Sequence, residues 1–165
     1  MTRSGLQRRW RALCTVLGAR GDVTGAFREL DRHYGAKGRF YHGWSHITDC
    51  LRELDRIRAH TSNPKALELA LWFHDAVYEP GAANNEERSA RLAAQWASLL
   101  GIDAEVSALA ARLILATRHD RRGEGSNEDW IRDVDLAVLG SGSCLFRAYE
   151  RRIRREYAGM PGKEY

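Results

Sequence analysis

Cysteine is scarce in this chain. Three occur in 165 residues, Cys14, Cys50 and Cys144, odd in number, far apart and never spaced as C-x-x-C. That excludes a disulfide frame and a zinc ribbon, and reads as free thiols in a reducing cytosol. Proline is as rare, with three, so long helices can run without interruption. No segment alternates apolar and polar residues far enough for a half-buried sheet. No apolar run approaches a membrane span, and Met1-Thr2-Arg3-Ser4 does not open the apolar segment of a secretory signal. These absences lead to the expectation of a cytoplasmic protein with no membrane partner. Charge of one sign is not in large excess, since 26 Lys and Arg against 22 Asp and Glu leave +4. Internal repeats and low-complexity tracts are lacking.

What is present is helical signal. The length suits one domain, residues 1–165, with a single core. Apolar spacing predicts helices over 6–17, over Val23–Tyr34 with Asp22 as N-cap, and over 44–59, where Ile47, Leu51, Leu54 and Ile57 form a stripe. Asn63-Pro64 restarts the chain, with Pro64 at the first helical position, and that helix is expected to reach Tyr78 with His74-Asp75 upon it. Further helices are expected over Asn85–Leu100, stopped by Gly101, over 103–117, and over 127–139, which carries Asp133 and Asp135. A basic helix follows a break at 140–143. The expected fold is an all-α bundle of seven or eight helices.

His74-Asp75 stands against this pattern. It follows Leu67, Leu69, Ala70, Leu71, Trp72 and Phe73 and precedes Ala76 and Val77, the most apolar stretch of the chain. A carboxylate in that setting needs a partner or incurs a large desolvation cost. A divalent cation shared with His46 and a distant acid meets the need. The expected ligands are His46, His74, Asp75 and Asp135. Imidazole and carboxylate donors together suit Mn, Fe, Co, Ni, Zn or Mg. Four such donors leave room for water and substrate, which is the layout of a catalytic site; no cysteine is counted near them. Successive residues on a helix point about 100° apart, so the ion is expected in a groove between helices. Burial favours Asp135, placed at helical spacing with Ile131, Val138 and Leu139, over the alternative Asp133, which shares its spacing with Asp129 and Ala137.

His42 lies four residues before His46 and would share its face if the helix begins that early. An imidazole beside the ligands suits a proton donor; the plainer reading makes it a loop residue at the Gly43 turn. Asp75 is counted with His42 as catalytic as well as ligating. His119-Asp120 suits a second metal, a substrate phosphate or a helix C-terminus. Glu86 and Arg118, with Arg121 and Arg122, are weaker candidates for substrate contact. His33 and His60 read as structural, Trp72 and Phe73 as core. Arginines at both ends (Arg3, Arg8, Arg9 and Arg11; Arg147, Arg151, Arg152, Arg154 and Arg155) suit nucleic acid or merely solvated faces.

Three elements in order carry a resemblance: Tyr41-His42-Gly43-Trp44-Ser45-His46-Ile47, Trp72-Phe73-His74-Asp75-Ala76-Val77-Tyr78, and Asp133-Val134-Asp135-Leu136-Ala137-Val138-Leu139-Gly140. They resemble the HD superfamily of metal-dependent phosphohydrolases, in a bacterial branch that also shows segments like Asn85-Glu86-Glu87-Arg88-Ser89-Ala90 and Leu113-Ile114-Leu115-Ala116-Thr117-Arg118-His119. The resemblance covers about residues 38–158, and such relatives continue past the equivalent of Tyr165. The first element is also similar to the Y-H-x-x-x-H segment of cyclic-nucleotide phosphodiesterases. That similarity implies proton donation by His42, metal ligation by His46, and the acid followed by leucine, Asp135, as last ligand. The implied activity is hydrolysis of a phosphoester, on a nucleotide or small phosphorylated metabolite, by hydroxide formed on the bound ion. Superfamily nucleotidases place an acid three residues after the His-Asp pair, where this chain has Tyr78. Two other functions remain open: a di-iron oxygenase, which needs extra histidines where this chain offers only His119, and a nucleic-acid-binding module whose metal is structural.

Overall fold

Helix boundaries follow the capping chemistry written in the chain. A computed structural model describes residues 1–120 and 125–158, the side chain of Ser126 excepted. Thr2 caps α1 (Arg3–Val16), its hydroxyl accepting from the Gly5 amide at 3.2 Å. Asp22 caps α2 (Val23–Tyr34) through the Gly25 amide at 2.7 Å. α3 (Trp44–Ile57) begins after Gly43. Asn63 caps α4 (Pro64–Phe73), with Pro64 supplying the preset first turn. α5 (Asn85–Leu100) ends where Gly101 turns left-handed at φ 66°. Asp103 caps α6 (Ala104–Ala116). α7 (Ser126–Asp135) runs into a short 3-10 helix, Leu136–Gly140, and α8 (Ser143–Tyr157) closes the described chain. The described residues form one body of eight α-helices and contain no strand.

The bundle is organised around α4. Every residue from Ala66 to Phe73 is buried, and α4 packs on α1, α3, α5, α6 and α7. A helix apolar on all sides can be stable only at the centre. Trp10 and Trp72 meet edge to face at 5.5 Å, and Trp10 satisfies its indole N–H on the Val23 carbonyl at 2.9 Å. Glu68, the one acid within α4, is buried but paired with Arg9 at 2.7 Å and with Arg58. Arg9 also forks onto Asp55 at 2.7 and 2.8 Å. Arg3 pairs with Asp31 and lies over the Trp44 ring. Two of the four N-terminal arginines, Arg3 and Arg9, are therefore neutralised by acids of α2, α3 and α4.

Three expected boundaries move. The helix begun at Pro64 stops at Phe73, and His74, Asp75 and Ala76 form a turn in which the Ala76 amide reaches the Phe73 carbonyl at 2.9 Å. The helix over 44–59 ends at Ile57. The segment over 127–139 breaks at Asp135, because Leu136 and Leu139 are 40% and 50% exposed and no apolar stripe continues past Val134. Arg121, Arg122 and residues 159–165 lie outside the described residues.

Candidate metal centre

His74 keeps helical dihedrals (φ −53°, ψ −39°) and its amide still donates to the Ala70 carbonyl at 2.8 Å, while Asp75 lies in the turn after α4. Both approach one point. His46 Nε2 and His74 Nε2 stand 3.1 Å apart. Asp75 Oδ2 lies 3.4 Å from the first and 3.2 Å from the second. Asp135 Oδ1 lies 3.0 and 3.4 Å from the same two nitrogens. His46 comes from α3, His74 and Asp75 from the end of α4, and Asp135 from the end of α7. His46 and His74 are buried, while the Asp75 and Asp135 side chains are 14% and 15% exposed. Asp133, the alternative acid, points to solvent.

The donor set fits a cation. Donors held about 2.0–2.2 Å from one ion stand about 2.9–3.5 Å from their neighbours, for angles between octahedral and tetrahedral. The five distances above span 3.0 to 3.4 Å. Tautomer chemistry agrees for His74. Its Nδ1 donates to the Leu71 carbonyl at 3.1 Å, which in the neutral ring leaves the Nε2 lone pair aimed at the cluster. Without a cation the two carboxylates draw protons onto the imidazoles. Burial opposes charge on His46 and His74, but their partners (Cys50, Asp135 and Asp75 for the first, Asp75 and Asp135 for the second) outweigh it and raise both well above the usual histidine range. Burial likewise opposes ionisation of Asp75 and Asp135, and the surrounding imidazoles hold both well below the usual carboxylate range. A metal ion and these protons compete for the same lone pairs.

Cys50 also belongs to this region, which corrects the expectation that no cysteine lies near. It sits one turn after His46 in α3, and ligand atoms of His46, Cys50, His74 and Asp135 all lie within 4.8 Å of one another, a buried group that can hold a metal ion. Its Sγ is 3.7 Å from Nδ1 and 3.6 Å from Nε2 of His46. Near equidistance from both nitrogens puts the sulfur beside the ring and not along a lone pair. Asp75 Oδ2 lies 3.4 Å from His46 Nε2, against 3.6 Å for the sulfur, and carries charge.

His42 lies in the turn before α3, not on the helix with His46. Its ring is 6.0 Å from that of His46. Nδ1 meets Glu156 Oε1 at 2.6 Å, and since a carboxylate only accepts, Nδ1 is the donor. The second Glu156 oxygen accepts from the Tyr41 amide at 2.6 Å and the His42 amide at 3.2 Å. Tyr78 stacks on the His42 ring at 3.9 Å, its hydroxyl 2.5 Å from that of Tyr157. Arg39 ties the His42 loop to the turn at Asp75. Its Nη1 donates to the carbonyls of His42 and Asp75 at 2.8 and 2.6 Å, its Nη2 to that of Ala76 at 2.7 Å.

His119 approaches Asp135. Its Nε2 donates to Oδ2 at 2.9 Å, the carboxylate oxygen turned away from the two ligand histidines. Among the described residues it is the one non-glycine with positive φ, 57°, and this reversal carries its ring from the end of α6 back to α7. Its Nδ1 is buried without a partner. Glu86 and Arg118 make no hydrogen bond or ion pair with His46, His74, Asp75 or Asp135. Arg118 is exposed and pairs with Glu87 and, at 3.5 Å, with Asp120; Glu86 is half-buried in the first turn of α5. His33 pairs with Glu29 and His60 packs by Trp130.

Sequence reasoning missed Glu156 and Arg39. Glu156 was legible: Phe146, Tyr149, Ile153 and Glu156 fall on one helical stripe of α8, so an acid stands where an apolar residue belongs, as with Asp135. Arg39 carries no such signal, because its partners are backbone carbonyls.

Two consequences are measurable. Arg39→Ala removes a guanidinium from three carbonyls; a hydrogen bond to a charged group contributes about 1.5–3 kcal/mol, and because the half-buried site lets water take up part of the loss, stability is expected to fall by about 2–4 kcal/mol, read as a shifted urea midpoint. Arg39→Lys does not recover it, lacking the planar fork. At Glu156 burial opposes ionisation, but His42 and the Tyr41 and His42 amides hold the carboxyl below its ordinary 4.5. Its stabilisation is thus complete above that value and is lost as pH falls through the depressed one. Urea unfolding at a series of pH values should show Glu156→Gln less stable than wild type at neutral pH, with the gap closing in acid.

Comparison with family models, curated proteins and solved structures finds no match to this chain.

Proposed function

We propose that the chain is a metal-dependent phosphohydrolase of the HD type, acting on a nucleotide or another small phosphoester. The observation that carries this reading is the convergence of His46, His74, Asp75 and Asp135 on one point with spacings of 3.0 to 3.4 Å. Those four residues would hold the ion, and the order of the sequence elements supplying them is that of the superfamily the sequence resembles. A bound divalent ion supplies Lewis-acid polarisation of a phosphoryl oxygen and a lowered pKa for water.

The chain's own residues do the rest. Glu156 fixes the His42 ring by accepting from Nδ1, which leaves Nε2 as the nitrogen that delivers a proton to the departing oxygen. Tyr78 covers one face of that ring and restricts its rotation. Arg39 holds the His42 loop and the Asp75 turn in one register, so proton donor and ligand keep their separation. His119 occupies the outer oxygen of Asp135 and orients the inner one. That engagement favours a single ion over a di-iron oxygenase, since the remaining histidines, His33 and His60, are placed elsewhere.

The test is a phosphoester panel, covering mononucleotides, cyclic nucleotides and nitrophenyl esters, run with Mn, Co, Ni, Mg and Fe after removal of metal by chelation. Turnover that returns with one or more metals supports the reading. No turnover with any metal, by protein that retains the ion, sinks it in favour of a structural metal.

A further inference from the structure

The inner stripe of α8 faces the candidate centre, with Tyr149 against Tyr41 at 4.7 Å between ring centres and Glu156 on His42. The outer face is cationic. Phe40, Ala148, Arg151, Arg152 and Arg155 line a cleft of about 590 Å³. Arg151, Arg152 and Arg155 are exposed and have no carboxylate partner among the described residues. Exposed arginines without a carboxylate partner occur elsewhere among the described residues, such as Arg8, Arg11, Arg20 and Arg91, but here three line one cleft, while Arg154 lies 3.8 Å from Glu150. Arg151 and Arg155 are one helical turn apart, about 6 Å along the axis, so they present a row of charge and not a single point. The Arg155 guanidinium lies 4.0 Å from the centre of the Phe40 ring, a cation–π contact that sets an aromatic face in the row. Phe40 is two residues from His42, and Glu156 fastens that loop to the same helix. Cleft and proton donor are therefore held in fixed relation.

We propose that the phosphoester site serves single-stranded nucleic acid, with the outer face of α8 and Phe40 gripping the strand that leads into it. This rests on the hydrolase reading above and narrows its substrate class. Unpaired guanidinium groups recognise a phosphate backbone, and an aromatic ring within a cationic track stacks a base of any identity. A membrane surface suits the same charge less well, because Tyr149 and Ile153 are turned inward and Leu145 is the one large hydrophobic side chain exposed on α8.

The experiment is fluorescence anisotropy of a labelled oligothymidylate with the full chain, beside hydrolysis of the same oligonucleotide and of bis(4-nitrophenyl) phosphate by wild type. Binding is expected to weaken steeply with added salt. Charge reversal in Arg151→Glu/Arg155→Glu is expected to reduce affinity at least tenfold, and Phe40→Ala by roughly fivefold or more, in line with loss of one stacked base. Arg152→Glu alone, a single change at an exposed position, checks the result should the double variant fold poorly by circular dichroism. Wild type that cleaves the small diester but binds the oligonucleotide no better than the charge-reversed variants overturns this inference and leaves the hydrolase reading standing. Binding to phosphatidylserine vesicles that depends on these arginines, with none to the oligonucleotide, overturns it in favour of a membrane. Wild type that cleaves neither substrate with any metal overturns both.

Discussion

Asp75→Ala purified beside wild type is expected to carry no bound ion and to turn over no phosphoester. Asp75 brings a full negative charge 3.4 and 3.2 Å from the two imidazole nitrogens, in a turn walled by the most apolar helix of the chain. Alanine there leaves two histidines and one carboxylate. That set still attracts a cation, but with less charge and one fewer donor. Altering even an outer partner of a metal ligand typically costs 10–100-fold in affinity or activity, so loss of a direct donor should exceed about a hundredfold. Metal content by elemental analysis and turnover should fall together. Asp133→Ala, at an exposed position near the end of α7, is expected to change neither. Full activity in Asp75→Ala would remove the basis for the proposed chemistry.

His42→Ala is expected to separate the two functions that Asp75→Ala abolishes together. Its ring centre is 6.0 Å from that of His46 and the ring is held by Glu156 and Tyr78, while Arg39 holds the His42 carbonyl, and no hydrogen bond joins the ring to His46, His74, Asp75 or Asp135. The bound ion should therefore stay. The rate should fall by about 10²–10⁴-fold, the usual contribution of a positioned acid, on esters whose leaving group needs a proton, such as nucleosides. Nitrophenyl esters, which depart readily as anions, should lose far less. An equal loss on both classes of ester, or loss of the metal itself, would assign His42 a structural role at the turn before α3.

These expectations draw on two kinds of signal, unequally legible in the chain. Helix starts were readable because capping is local: Asp22, Asn63-Pro64 and Asp103 each sit beside the amides they satisfy. The convergence at His74-Asp75 was readable because a carboxylate in an apolar run demands a partner. The end of α4 was not. Nothing between Trp72 and Tyr78 breaks a helix by propensity, and the stop at Phe73 reflects tertiary contacts, among them Arg39 on the Asp75 and Ala76 carbonyls and Tyr34 on the Trp72 carbonyl at 3.0 Å. The reason offered for Asp135 also needed revision. Leu139 is exposed, and the burial of Asp135 comes from His46, His74 and His119 around it. Cys50 lies one helical turn from His46, so its place in this region was legible in the spacing. Glu156 stood out as an acid on the apolar stripe of α8, but its partner His42, 114 residues away, is found only in the fold.

The claim on which the rest depends is that one divalent cation is held where α3, the end of α4 and the end of α7 meet. Isothermal titration of chelator-stripped protein with Mn, Co, Ni and Zn addresses it directly. The prediction is saturable binding of one ion per chain that disappears in Asp75→Ala and persists in His42→Ala. Absence of saturable binding by folded wild-type protein to any of these ions, or binding left intact by Asp75→Ala, would contradict it.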